Sequence, residues 1–356
     1  MKVGTAEKKS NQLFNKPVIG RYDQYFALDW SMDNATIARM RTSSTEPKIV
    51  KLAADVKELK EYASKFHGKS ILCIEETTTT HWLYIELRDY FDRILVCDPY
   101  KNSLLGDGAK SDKIDAAKLC LLLRGGLLKE VFHCLEQDYQ LQKVMSAYED
   151  WLKFGVRFKN QKSALYRALG LNSRKDSIDE KNRLLKFVEY QQNEAISLYE
   201  EMKKEFAKLF RSIRKQNPLI ANLRAISGID DIWAVTIYSK VIDIRRFRTK
   251  YKYWTYCGLA KHDKESGGRS YGKRTPRYCR VLKKVYKSAA MAAINGNNDI
   301  RAYYEHLLEL KMPPKAAFNA VARYIAKVTY GMLKNKTEYI PYRWRRSREE
   351  KPIDAV

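Results

Sequence analysis

Residues 130 to 217 contain no proline and only two glycines, Gly155 and Gly170. A stretch of that length without breakers suits long helices and little else. Apolar residues at Leu135, Leu141, Val144 and Tyr148 recur at helical spacing. Leu184, Phe187, Val188, Ile196, Tyr199, Met202, Phe206 and Leu209 do the same. The pattern breaks near 170–180 and Pro218 ends it. A hairpin of long helices, of coiled-coil type, is the expectation for 131–217.

The segment before this block has a different rhythm. YDQYFALDW (22–30) and ATIARMRT (35–42) read as strands joined by a turn near Met32–Asn34, and PKIVKLA as a third strand. ADVKELKEYASKF has Val56, Leu59, Tyr62 and Ala63 at helical spacing. KSILCIE (69–75) reads as a buried strand, HWLYIELRDYF (81–91) as a helix, and RILVCD (93–98), closed by Pro99, as another strand. A last helix starts near Ser111 and runs to Gly125-Gly126. The order β-β-β-α-β-α-β-α predicts a mixed sheet flanked by helices.

Lys and Arg number 67 against 42 Asp and Glu, a net charge of +25. Such an excess points to a polyanionic partner: DNA, RNA or an anionic membrane surface. No run of 18 apolar residues is present, so no membrane span is expected. Residues 1–20 read as a flexible basic arm without the apolar core of a signal peptide. The six cysteines form no C-x-x-C pair and do not cluster with the five histidines. Neither a structural zinc site nor a disulfide framework is expected, and the chain reads as cytoplasmic.

Four acids fall at telling places. Asp29 ends the first strand and Glu75 the fourth, while Asp112 and Asp115 open the last helix of the unit on one face. In a sheet of this order the first and fourth strands commonly lie side by side at the centre, so their ends converge near that helix. Carboxylates sharing a small volume repel unless a cation neutralises them. Hard oxygen ligands suit Mg²⁺. Two such ions are the usual machinery of phosphodiester cleavage. Asp112 and Asp115 would also complement the helix dipole with no metal, and Asp98, before Pro99, reads as a turn residue.

The C-terminal half is basic and mostly helical. LRAISGIDDIWAVTIYSKVIDIRRF (223–247) reads as helix, tight turn, helix, resembling a helix-hairpin-helix backbone-binding motif, with Asp230 where a second glycine is usual. Residues 261–290 hold ten Lys or Arg. Lys264, Arg269, Lys273, Arg274, Arg277 and Arg280 are the candidate nucleic-acid contacts. Among them Ser266-Gly267-Gly268 offers a serine in a basic, flexible loop, a setting for attack on a phosphodiester, with Ser270 a rival and His262 a lone candidate base. Arg343, Arg345, Arg346 and Arg348 make a basic tail over 336–356.

These pieces together resemble insertion-sequence transposases that join an N-terminal RuvC-like Asp-Glu-Asp-Asp domain to a C-terminal serine-bearing transposase domain. Bridge-RNA-guided recombinases are members, and Piv-type invertases are related. Four blocks carry the resemblance: ALDW with Asp29, CIEETTTTHWLYIELRD with Glu75, KSDKIDAAKLCLL with Asp112 and Asp115, and GLAKHDKESGGRSYGKRTPRYCRVLKKVYKSAA with Ser266. KMPPKAAFNAVARYIAKVTYGMLK is similar to the family's closing helix. Glu76-Thr77-Thr78 replaces the family's Ala-Thr-Gly, Lys261 replaces a usual proline, and TPRYCR departs from the usual pattern after the serine.

The resemblance implies an α/β RuvC-like domain of RNase H fold over 21–130, the helical middle over 131–217, and a mainly helical transposase domain over 218–335. It implies Mg²⁺ on Asp29, Glu75, Asp112 and Asp115, and Ser266 joined covalently to a DNA end. It further implies a dimer or tetramer in which the two halves of the site come from different protomers, with donor and target DNA and a structured guide RNA as partners. The competing readings are a protein-only invertase, a metal-dependent nuclease such as a junction resolvase with Ser266 a bystander, and a non-catalytic scaffold.

Overall fold

The computed structural model describes residues 18–98 and 111–345. Most of the expected arm, together with Pro99, Arg346 and Arg348, lies outside the described residues. The chain divides into two compact units, Met1–Gln137 and Asp138–Val356.

In the first unit the apolar alternation becomes five strands: β1 (Gln24–Trp30), β2 (Asn34–Arg41), β3 (Lys48–Ala53), β4 (Ser70–Glu75) and β5 (Arg93–Cys97). The helices are α1 (Val56–Ser64), α2 (Thr80–Leu87) and α3 (Asp112–Arg124). The element order is the expected one. The strands are ordered β3-β2-β1-β4-β5. β1 and β3 run antiparallel to β2, while β1, β4 and β5 are parallel, so the sheet is mixed.

Period-two alternation divides the sheet's side chains between two cores. Phe26, Leu28, Leu72, Ile74 and Val96 form one face with Val56, Leu59 and Ala63 of α1 and Leu83 and Leu87 of α2. Tyr25, Ala27, Ile71, Cys73, Leu95 and Cys97 form the other with Ala116, Leu119, Cys120 and Leu123 of α3. The small residues Ala27, Cys73, Cys97, Ala116 and Cys120 let α3 lie close over the central strands, and the Cys120 thiol donates to the Tyr25 carbonyl at 3.4 Å. The segment after α3 is tied to the sheet by a buried Arg93–Glu130 pair at 2.8 Å.

The long helix α4 (Glu136–Ala168), which starts two residues before the second unit does, and α5 (Arg183–Gln216) are separated where the periodicity breaks. They run antiparallel. Tyr148 meets Phe210 edge-on at 5.1 Å, Lys162 donates to Asn193 at 2.7 Å, and Tyr166 bonds Glu189 farther along. Gly155 allows close approach here, since a Cβ would stand 2.4 Å from the Tyr199 ring.

The helices α6 (Pro218–Arg224), α7 (Asp231–Val241), α8 (Lys250–Tyr256), α9 (Arg280–Ile294), α10 (Asp299–Glu309) and α11 (Pro314–Asn335) follow. Their core takes in α9 and α11 and is rich in alanine: Ala289, Ala290 and Ala293 of α9 and Ala317, Ala322 and Ala326 of α11 are all buried in it. Small residues shorten the interaxial distance. Between α8 and α9 the chain departs from expectation. The basic loop is a hairpin of β6 (His262–Ser266) and β7 (Arg269–Arg274).

Candidate active site

Leu28 is in register with Ile74 on parallel strands. Asp29 and Glu75 follow these two residues, and adjacent strands lie about 4.8 Å apart. By alternation both carboxylates belong to the face of Tyr25, Ala27, Ile71 and Cys73, the one that α3 covers. The first turn of α3 carries Asp112 and Asp115. Ser111 fixes that turn as its N-cap, accepting from the Ile114 amide at 3.3 Å. Asp98 has the opposite parity, since Glu75 is in register with Cys97, which separates it from this group.

Asp29 lies within electrostatic reach of the other three acids. Asp29 is pushed up from 3.8 to about 6, first by burial and then by repulsion from Asp112, Asp115 and Glu75. Glu75 is also raised, by burial and then by Asp115. A carboxylate with no cation to offset its like-charged neighbours holds its proton more tightly. The donor set, all hard carboxylate oxygens, fits a cation such as Mg²⁺. Yet among the described residues no three His, Cys, Asp or Glu side chains are close enough to hold a metal ion as they stand. The two facts agree. Repulsion acts over several ångströms, whereas ligation of Mg²⁺ needs bonds of about 2 Å, so the acids are gathered without being closed into a cage.

A feature that sequence reasoning missed adjoins Glu75. Thr80 donates its hydroxyl to the Glu75 carbonyl at 2.7 Å and accepts from the Thr77 amide at 2.6 Å. Thr77 is also bonded to Thr79 at 3.1 Å. These hydroxyls hold the strand end that carries Glu75. The tract of four threonines directly after Glu75-Glu76 was the available signal.

In the second unit, Ser266 ends β6 and faces Arg269 across the turn. Gly267 and Gly268 have φ of +55° and +72°, the left-handed pair that a two-residue type I′ hairpin turn requires. Every residue of both strands is exposed, including Lys264, Arg269, Lys273 and Arg274. Lys273 lies 4.0 Å from Asp263. Arg277 follows the hairpin and Arg280 opens α9, both exposed. The rival Ser270 pairs with Glu265. His262 lies 3.4 Å from the Thr255 hydroxyl. Among the described residues Ser266 has no base bonded to its hydroxyl.

The tight turn between α6 and α7 carries Gly228. With φ of +86°, Gly228 presses against α9, and a Cβ there would stand 2.2 Å from the Ala289 carbonyl oxygen. The α7 N-terminus is capped by Asp230, whose carboxylate accepts from the Trp233 amide at 2.7 Å. The cap satisfies an amide that an anion at a helix N-terminus could otherwise meet, and the glycine lets the turn pack on α9. Among the described residues no helix is long and apolar enough to cross a membrane.

Residues 220–305 match the family model described as Transposase IS116/IS110/IS902 family. The match takes in the helices from α6 to the start of α10 and the hairpin with Ser266. It supports an insertion-sequence transposase acting on DNA. No curated protein matches the chain.

Proposed function

We propose that this protein is a DNA transposase or site-specific recombinase that cuts DNA with an acidic Mg²⁺ site and rejoins it through Ser266. The observation that carries the reading is the gathering of Asp29, Glu75, Asp112 and Asp115 on one face of a β3-β2-β1-β4-β5 sheet. It stands in a chain whose second unit bears the transposase-family match around an exposed basic serine hairpin. We read the first unit as a RuvC-like domain of RNase H fold on that strand order and acid placement.

Asp29, Glu75, Asp112 and Asp115 would hold the ion, which when bound supplies stabilisation of charge on the phosphodiester oxygens. The hairpin carries Ser266 outward, where a DNA backbone can reach it. Its Oγ attacks phosphorus, the Oγ–P bond forms, and one P–O bond to a deoxyribose oxygen breaks. The serine proton passes to solvent, and the departing oxygen takes up a proton from water. One phosphodiester linkage is exchanged for another, so the step is reversible and a second DNA end can be joined without an external energy source. Lys264 and Arg269 flank Ser266 in the hairpin and would offset the charge that develops on phosphorus. The serine needs activation. With no base bonded to it among the described residues, that activation would come from the phosphodiester side, through the charge stabilisation that the ion held by the acids of the same or a second protomer would supply.

The exposed apolar residues Leu184, Phe187, Val188, Leu198 and Leu209 on α5 support pairing of protomers through the helical hairpin, in coiled-coil fashion. The charge of +25 supports a guide RNA as well as DNA. A metal nuclease without a serine step is the second reading, favoured by the lack of a base at Ser266.

The test is covalent trapping. Protein is incubated with donor and target DNA and Mg²⁺ and then denatured. The reading expects a protein–DNA adduct that Ser266→Ala loses and Ser270→Ala keeps. Strand cleavage with no adduct in any variant would favour the nuclease.

A further inference from the structure

A cavity of about 520 Å³ lies in the second unit between α11 and the segment that follows it. None of its lining residues belongs to the acid cluster or the serine hairpin. Three cations border it: Lys250 at the start of α8, Lys327 on α11 and Arg343 beyond α11. None of the three makes an ion pair among the described residues. Glu338 also borders the cavity but lies outside ion-pair distance of each of them. Lys327 is held below the usual lysine range by burial and then by repulsion from Lys250 and Arg343. The three charges thus face one another, an arrangement that costs free energy unless an anion offsets it.

The arrangement is built into the fold. The segment with Arg343 and Trp344 is pinned to Asp299, which is 5% exposed. The Tyr339 hydroxyl and the Tyr342 amide both donate to the Asp299 carboxylate, and the Trp344 indole N–H donates to its carbonyl at 3.3 Å. Gly331 borders the cavity from inside α11, with open space where a Cβ would be. An interior helix glycine costs about 1 kcal/mol relative to alanine. Here it leaves room that a side chain would fill. Tyr324 and Trp344 also border the cavity, each with one side packed against Tyr303, at 4.8 and 5.4 Å between ring centroids.

We propose that this cavity binds one nucleotide unit of a single-stranded nucleic acid, its phosphate among Lys250, Lys327 and Arg343 and its base in the open space over Gly331, bordered by Tyr324 and Trp344. The volume is in the range of small-ligand pockets, and aromatic walls take any base. A free nucleotide has the same chemistry. The choice of a strand rests on the proposed action on DNA.

The probe is a mixed-sequence single-stranded DNA of about 16 nucleotides carrying 5-iododeoxyuridine. It is irradiated with the full-length protein, and the cross-linked peptides are mapped by mass spectrometry. Cross-links at Tyr324 or Trp344 are expected. Gly331→Leu fills the cavity with a better helix former and should reduce them about tenfold or more. The melting temperature should change little. The double variant Lys327→Gln/Arg343→Gln, which leaves the shape of the cavity unaltered, should also reduce these cross-links, which covers the case in which Gly331→Leu fails to fold. Cross-links that map elsewhere, or that persist at full yield in both variants, overturn the proposal. Protection by adenosine monophosphate with total DNA binding unchanged would overturn the strand in favour of a free nucleotide. Absence of any DNA binding would overturn the proposal together with the proposed function, whereas binding without these cross-links would overturn the cavity assignment alone.

Discussion

Asp29 and Glu75 sit one residue beyond the Leu28–Ile74 pair on parallel strands, side by side on the face of the sheet that α3 covers. Burial of Asp29, and then its repulsion from Asp112, Asp115 and Glu75, has a consequence for stability. The folded Asp29 carboxyl, raised to about 6 from 3.8, binds its proton more tightly than the unfolded one. Stability linked to this group is therefore fully present below pH 3.8, falls as pH rises toward 6, and stays low above. Asp29→Asn removes the charge. Its melting temperature should gain on the wild type as pH rises through that window and hold the gain at neutral pH, as differential scanning calorimetry would show. Adding Mg²⁺ should shrink the gain, because the ion stabilises only the ionised site.

Gly228 is fixed by its contact with Ala289 and by its positive φ. Gly228→Ala should destabilise the second unit by about 3 kcal/mol, combining backbone strain and overpacking. Denaturant unfolding followed by tryptophan fluorescence measures it. A loss below about 0.5 kcal/mol, the range of ordinary surface substitutions, would show that the turn relaxes freely.

Gly267→Ala and Gly268→Ala place a side chain at left-handed positions of an exposed turn. Each should cost the hairpin about 1 kcal/mol and lower DNA strand transfer. The global melting temperature should hold, since every residue of both strands of this ribbon is exposed. Equal losses of activity and global stability would contradict this.

Pairing of protomers through α5 predicts that Phe187→Glu/Leu198→Glu lowers the oligomeric state in sedimentation. Both side chains are exposed, so the helix content should persist. An unchanged sedimentation coefficient would place the contact elsewhere.

With a charge of +25, DNA affinity should fall steeply with salt. Lys264→Gln and Arg269→Gln should each reduce the logarithmic slope by about 0.9 if each meets one phosphate.

Much of the first unit was legible. The alternation in QYFALDW and SILCIE marked strands, and strand parity fixes the face to which Asp29 and Glu75 belong. Legibility failed where local pattern was silent. HDKES and RSYGKR have no apolar alternation, so a hairpin held by its Gly-Gly turn read as a loop. Gly228 resembled a phosphate-binding turn because the Ala289 carbonyl that demands a glycine comes from a helix about 60 residues later. Lys250, Lys327 and Arg343 come from three separate segments, and only the tertiary fold, with Asp299 pinning the last of them, brings them round one cavity.

The central claim is that the four acids and Ser266 serve one reaction on DNA. The most direct measurement is the yield of the covalent protein–DNA adduct in Asp29→Asn, a variant that leaves Ser266 and its hairpin intact. The account predicts that this adduct is lost while DNA binding and folding are retained. An adduct formed at wild-type yield by Asp29→Asn would contradict it.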